Sequence, residues 1–361
     1  MIAPPSGGID VYVNVISNKL RDFGYLVDIN GSQKGESAYN VETKSWKTAQ
    51  EVKELVEKVV NRIDFSKYDS VIFHYGKNDI EQYIPVILLE NKIKINKPIY
   101  FTHYLSWNLF SSYLKDNETE EKVVKATYTF FEKYLFFGTF AKNYMQIQSE
   151  KKLDGIVSFL PETHNEEVIT QEEARELNKK FYYTEETPIV YMPGFASNYK
   201  DYDLLIMSLS KVTQSLRIVL SGRGWIKRLG FDRKVFGLVE VIIVDEYINS
   251  KEYKYLTSMS LFGIFPYRQP LDKKEVFQAS GTLPNFIYEE KANIVLNEAS
   301  MPEYVGKGGI ILESNTADSL SLAINKLLVK EIRESFEKEA TKNRYNFSLE
   351  KHAKDIISLI Q

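Results

Sequence analysis

The chain has 361 residues, 46 basic against 49 acidic side chains for a net charge of −3, 43% apolar and 26% charged content, and no cysteine. The length exceeds the about 250 to 300 residues at which a single core stops growing, so two domains with a cleft between them are expected. The near-balanced charge gives no global attraction for nucleic acid, the missing cysteines exclude a disulfide framework, and no apolar run approaches the about 20 residues of a membrane span. The opening MIAPPSGG has neither a basic n-region nor an apolar h-region, so a cytoplasmic location is expected.

In chain order, helix 9 to 22 places Val11, Val15, Ile16 and Leu20 on one stripe, directly after Gly7-Gly8, with Gly24 where a left-handed terminating residue belongs. The short runs YLVDIN (25 to 30), SVIFH (70 to 74), PIYFTH (98 to 103), YLFFGT (134 to 139) and IVSFLP (156 to 161) then alternate with amphipathic stretches. That is the pattern of a parallel sheet covered on both faces. From about residue 162 an acidic, polar stretch breaks the alternation and predicts a linker with one helix. The alternation restarts with PIVYMPG (188 to 194), LRIVLSG (216 to 222), VEVIIVD (239 to 245), LFGIFPY (261 to 267), ANIVL (292 to 296) and GGIIL (308 to 312), and the tail ends in helices. The expected fold is α/β, with two doubly wound Rossmann-like domains facing each other across a cleft. Residues 1–165 form the N-terminal domain, 166–186 the linker, 187–340 the C-terminal domain, and 341–361 a helix crossing back to the first. A ligand is expected at the carboxyl ends of the strands.

These pieces resemble, in order and spacing, the GT-B glycosyltransferases of the large retaining group called glycosyl transferases group 1, or family 4. PPSGGIDVYV is similar to that family's Gly-Gly loop and helix, VIFHYG and PIYFTHY to its strands ending in histidine, and FLPETHN to the turn closing its first domain. IVYMPGFASNYKDYDLLIMSL is similar to the family's strand, phosphate-binding loop and helix; LFGIFPYR, then SGTLPNFIYEEKANIVLNEASMPEYVGKGGIILE and DSLSLAINKLL, follow in the family's order. The resemblance covers most of the chain. It implies retaining, metal-independent transfer of a sugar from a nucleotide diphosphate donor, without a cofactor, to a glycan, lipid-linked or protein-linked acceptor. Nucleotide and donor would lie mainly on the second domain and the acceptor on the first.

As the glycosidic bond breaks, charge grows on the leaving diphosphate and must be met by positive groups. The sequence offers Arg268 after LFGIFPY, Arg223 after LRIVLSG, Lys200, which matches the family lysine, and the backbone amides of Ser280, Gly281 and Thr282 ahead of a helix-like run. The family arginine falls on Phe195, and of the family's two glutamates the ribose-binding one falls on Asn285 and the sugar-binding one on Phe277. Glu275, two residues away, is the candidate replacement, and an amide at Asn285 can still bind ribose hydroxyls. His103 matches the family histidine beside the donor sugar. Gly7, Gly8 and His74 suit a phosphate or acceptor hydroxyl, and Tyr247 and Ile248 suit base recognition. His164 and His352 receive no role. No Cys or His cluster has metal-ligand spacing, and no Gly-x-Gly-x-x-Gly follows the first strand as a nicotinamide site would require.

Two rival readings stay open. One is another GT-B enzyme, a sugar-nucleotide epimerase or a phosphorylase; the other is a degenerate domain that binds a nucleotide without turnover, as the altered acidic pair would allow. Aromatics in FTHYLSWNLFSSYL (101 to 114) and TYTFFEKYLFF (127 to 137) read as core or as an apolar acceptor surface with peripheral membrane contact.

Overall fold

The computed structural model describes residues 1–5, 7–164, 167–184, 186–270 and 276–361. The chain is mixed α/β with two parallel sheets, and divides into two compact units. The first comprises Met1–Ser158, residues 276–278 and His352–Gln361; the second comprises residues 159–270 and 279–351.

In the first unit, α1 (Gly7–Asp22) precedes a hairpin of β1 (Tyr39–Asn40) and β2 (Ser45–Trp46), and then α2 (Ala49–Asn61). The parallel sheet comes next as β3 (Val71–His74), β4 (Pro98–Phe101), β5 (Lys133–Phe137) and β6 (Gly155–Ser158), with α3 (Ile84–Glu90), α4 (Asn117–Thr129) and α5 (Thr139–Ser149) as crossovers. Thr48 starts α2 through a capping box with Glu51, and the Asp116 carboxylate caps α4 at the Thr119 amide. Strand and crossover side chains interlock as an aromatic core. Tyr100 stacks on Tyr75 and on Phe131, with ring centroids 4.8 and 5.2 Å away. Trp107, Leu109, Phe110, Tyr134 and Phe136 are buried in the same core, which takes most of the two aromatic runs off the surface.

The strand expected over residues 25 to 30 does not form. Asn30 alone bridges, to Ile2, which bridges in turn to Phe73 of β3. The sheet therefore extends through the first three residues, where the Ala3 amide donates to the Asn30 carbonyl at 2.9 Å and the His74 amide to the Ile2 carbonyl at 2.8 Å. Gly7 and Gly8, expected as a loop, are the exposed first residues of α1.

In the second unit, α6 (Gln171–Lys180) occupies the stretch expected as linker with one helix. Then come β7 (Ile189–Met192), α7 (Tyr202–Leu209), β8 (Leu216–Ser221), α8 (Trp225–Leu229), β9 (Arg233–Phe236), β10 (Val239–Val244), α9 (Ser250–Met259) and β11 (Ser260–Phe265). They are followed by α10 (Leu283–Tyr288), β12 (Asn293–Leu296), α11 (Met301–Val305), β13 (Gly309–Leu312), α12 (Ala317–Leu328), α13 (Lys330–Asn343) and α14 (Leu349–Ile360), whose residues from His352 onward belong to the first unit. The strand order is β13-β12-β11-β7-β8-β10-β9, parallel except for β9. Strand β9 went unforeseen because its exposed Arg-Lys-Val-Phe sequence has no apolar run. It is held at the edge by Arg233, whose Nε donates to Glu240 at 2.6 Å while Arg217 grips the same carboxylate at 2.8 Å. No helix among the described residues is long and apolar enough to cross a membrane.

Glu81, 1% exposed, ties two loops of the first unit by accepting from the Ser32 amide at 2.9 Å and the Ser32 hydroxyl at 2.5 Å. Burial, and then repulsion from Asp79, push its carboxyl from 4.5 up to about 7. The native state therefore holds this proton more tightly than the unfolded chain, and stability falls as pH rises from the ordinary carboxylate range through 7, by up to about 3 kcal/mol. Glu81→Gln stays neutral and keeps an acceptor oxygen. Its urea-unfolding free energy is expected to gain on that of the parent protein between pH 4.5 and 8; parallel pH profiles would exclude the coupling.

Candidate functional site

In a parallel sheet, backbone groups are satisfied by neighbouring strands and polar side chains collect in the loops at the carboxyl ends. In the second unit the loops after β7, β8 and β11 interlock there. Gly222, with φ of 114°, lies so close to the β7 loop that a Cβ on it would sit 2.7 Å from the Gly194 carbonyl carbon. The Ala196 amide donates to the Arg223 carbonyl at 3.1 Å, and Trp225, wholly buried, donates its indole N–H to the Gly194 carbonyl at 2.8 Å. The β11 loop is laced to the same segment by Arg268 N–H to the Tyr199 carbonyl at 2.8 Å and Asp201 N–H to the Pro266 carbonyl at 2.7 Å.

This lacing holds a buried cation. Lys200 is 4% exposed; its ammonium donates to the Pro193 carbonyl at 2.7 Å and lies 5.3 Å from the Trp225 ring centroid and 5.4 Å from that of Tyr267. No carboxylate pairs with it among the described residues. Burial lowers its pKa from 10.5 to about 7. Arg268 is different: Nη1 lies 3.0 Å from Oδ2 of Asp201, whose other oxygen caps α7 at the Leu204 amide, 3.1 Å away. With 35% of its side chain exposed, Arg268 remains accessible. Asp201, Trp225 and Tyr267 were not anticipated; Asp201 follows Lys200 directly and heads a helix, which was the available signal.

The other expected residues are scattered around this cluster or spent on local bonds. Arg223 is exposed on the β8 loop; Tyr247 is 65% exposed after β10, while Ile248, at 8%, packs inward. The amides after Ser280 are largely spent locally, because the Ser280 hydroxyl accepts from both Thr282 and Leu283 N–H at 3.2 Å ahead of the six-residue α10. Pro284 stands in the first turn, where its missing N–H costs least. Asn285 is buried and accepts from the Thr163 amide at 2.9 Å, so its oxygen braces the backbone. Glu275 lies outside the described residues.

In the first unit, His74 and His103 come together at the carboxyl ends of β3 and β4. Nδ1 of His74 is 3.0 Å from Nε2 of His103, and the His103 ring packs 4.9 Å from Tyr12 and 4.8 Å from Phe137. Burial holds both rings neutral, lowering His103 to about 3 and His74 well below 6.5. His352, assigned nothing from the sequence, joins this cluster: Nε2 lies 2.5 Å from the Tyr12 hydroxyl and Nδ1 3.1 Å from Ser158 Oγ, which also donates to Asp355 at 2.8 Å.

No known family profile and no curated protein matches the chain by sequence. Solved structures do. The chain is similar to a glycosyltransferase from Rickettsia africae, with 16% identity and a TM-score of 0.68 over 100% of this chain and 96% of that one. It is similar to Anabaena HepE in complex with UDP and glucose, with 13% identity and a TM-score of 0.68 over 99% and 97%. It is also similar to sucrose-phosphate synthase from Thermosynechococcus elongatus, with 12% identity and a TM-score of 0.70 over 99% and 94%. The fold is GT-B.

Within this GT-B second unit, Lys200 has a measurable signature. Because its native pKa lies near 7 and its ordinary value is 10.5, the unfolded chain binds the extra proton across that window and native stability rises with pH, by up to about 5 kcal/mol. Lys200→Met is expected to flatten that rise in denaturant titrations from pH 7 to 10.5; an unchanged slope would show the ammonium to be well solvated. Gly222→Ala should cost roughly 2 to 4 kcal/mol, since both the positive φ and the Gly194 contact oppose a side chain.

Proposed function

We propose that the chain is a glycosyltransferase that moves a sugar from a nucleoside diphosphate donor to a hydroxyl of a glycan, lipid-linked or protein-linked acceptor. The observation that carries this reading is the Lys200 ammonium, buried with one carbonyl and two aromatic faces and, among the described residues, no carboxylate. Such a cation is incompletely compensated, and a diphosphate oxygen would supply the missing charge. Arg268, accessible beside it through Asp201, would share the load. As the bond from the anomeric carbon to the diphosphate oxygen lengthens, negative charge grows on that oxygen, and a preorganised Lys–Arg pair lowers the barrier by meeting it. Retention of configuration and independence of a metal belong to the same reading and rest on the resemblance to the retaining group. HepE, similar in fold, was solved with UDP and glucose.

A degenerate nucleotide-binding protein is the second reading. It is favoured by Phe277, buried at 6% exposure where the resemblance places a glutamate. Turnover separates the two.

Thermal-shift titration with UDP-, GDP- and ADP-glucose is expected to show one nucleotide series raising Tm, by mass action equivalent to about 2.7 kcal/mol at a hundredfold excess over Kd. Lys200→Met and Arg268→Ala should each weaken that binding by about tenfold or more. Full affinity in the Lys200 variant would remove the reading. Release of nucleoside diphosphate on incubation with the sugar donor decides between transferase and degenerate binder, and the anomeric proton coupling of the product decides retention.

A further inference from the structure

One carboxylate at the carboxyl edge of the first sheet is oriented by its surroundings and left half used. Asp79 stands at the cap position ahead of the single helical turn Ile80–Tyr83, where a carboxylate ordinarily accepts from the amides that follow, but it makes no such bond. Its Oδ2 turns back to the Gly76 amide, 2.5 Å away. The turn is pinned from behind by Gln82, which is wholly buried and donates its side-chain N–H groups to the Lys77 carbonyl at 3.0 Å and the Asp79 carbonyl at 2.9 Å.

One oxygen of Asp79 is thus spent on fixing the carboxylate. The other, Oδ1, has no partner among the described residues and is not sealed from solvent. The neighbouring Glu81 is buried and committed to Ser32, so Asp79 presents the only free oxygen of the two carboxyls.

Beside this carboxylate lies an aromatic ring. The point that a Cβ on Gly76 would occupy is 3.0 Å from Asp79 Oδ2, 3.4 Å from Tyr104 Cδ2 and 3.4 Å from Ile9 Cδ1. Tyr104, on the loop after β4, is 39% exposed, and its backbone carbonyl accepts from the Tyr100 hydroxyl at 3.2 Å. An oriented carboxylate and an exposed ring therefore meet over one glycine. A phosphate is repelled by such a carboxylate, and a simple apolar ligand gains nothing from it. A sugar ring uses both groups: its rim hydroxyls donate charge-assisted hydrogen bonds to a carboxylate, and its C–H face packs on an aromatic ring.

We propose that Asp79 and Tyr104 form a saccharide subsite on the first unit, Asp79 accepting from a ring hydroxyl and Tyr104 covering the C–H face of the same ring. That this saccharide is the acceptor of transfer rests on the glycosyltransferase reading above; the binding itself does not. Among the acceptors left open there, the subsite selects one that presents an uncharged sugar.

Saturation-transfer spectra with methyl α-glucoside, methyl β-galactoside and methyl α-mannoside test the subsite directly. The parent protein is expected to transfer saturation to at least one of them, and that glycoside is then titrated against Asp79→Asn and Tyr104→Ala, each checked for a native melting transition. Asp79→Asn keeps an oxygen for the Gly76 amide while removing the free acceptor oxygen, so its urea midpoint should match that of the parent. It should bind the glycoside about tenfold more weakly and Tyr104→Ala about fivefold more weakly, with affinity for UDP, GDP and ADP unchanged in both. No saturation transfer to any of the three glycosides, or unchanged glycoside affinity in either variant, overturns the subsite. A lowered urea midpoint in Asp79→Asn, or a parallel loss of nucleotide affinity, also overturns it by showing the carboxylate to be an anchor of the fold. Failure of the parent protein to bind UDP, GDP or ADP removes the glycosyltransferase reading alone and leaves the saccharide subsite as measured.

Discussion

Parallel strand pairing is the constraint on which the rest depends. A parallel strand must return through a crossover, so both faces of each sheet are covered and its strands become nearly continuous apolar runs. In β7, β8 and β11 the strand residues are almost all buried, and every polar requirement is pushed to the loops at the carboxyl edge. At that edge three loops compete for space, and the close approach of Gly222 to Gly194 is how they fit. The lysine is buried because the loops around it are packed together, with Trp225 and Tyr267 flanking the ammonium.

The same constraint made the fold readable. Short runs rich in Val, Ile, Phe and Tyr separated by helical stretches are what buried parallel strands require, and β3 through β8 and β10 through β13 all coincide with such runs, with β5, β6 and β11 starting one residue earlier. The failures have physical causes. Residues 25 to 30 alternate like a strand, yet among the described residues only Asn30 forms a strand bridge, because the neighbouring edge is a three-residue segment that Pro4 and Pro5 cut short. Strand β9 is an exposed antiparallel edge, where charged side chains are an advantage and apolar patterning is absent.

The candidate site was legible in its charged residues and illegible in their pairing. Lys200 and Arg268 stand at strand ends and could be picked out by position; that Asp201 pairs with Arg268 and not with Lys200 depends on contacts between two loops 67 residues apart, Asp201 to Arg268. The serine at 280 could be recognised as a helix-start residue, but whether its hydroxyl or an anion takes the following amides is decided by a rotamer. His352 was passed over although it lies on the buried stripe of α14 with Ile356 and Leu359, a helical spacing that places it inward. A histidine on such a stripe must find partners, and here Tyr12 and Ser158 supply them.

The two basic residues of the second unit show why burial and pairing have to be weighed together. Arg268 keeps its counter-ion and some solvent, so it is charged at little cost and ready to strengthen an existing field. Lys200 is buried and has no counter-ion among the described residues, and at neutral pH its charge is poised between loss and retention. An arriving anion changes the two unequally: it adds a modest Coulombic gain at Arg268, but at Lys200 it also stabilises the protonated form itself, so that ligand and proton bind together. The loop that buries Lys200 thereby makes this position more responsive to an anion than an exposed lysine would be.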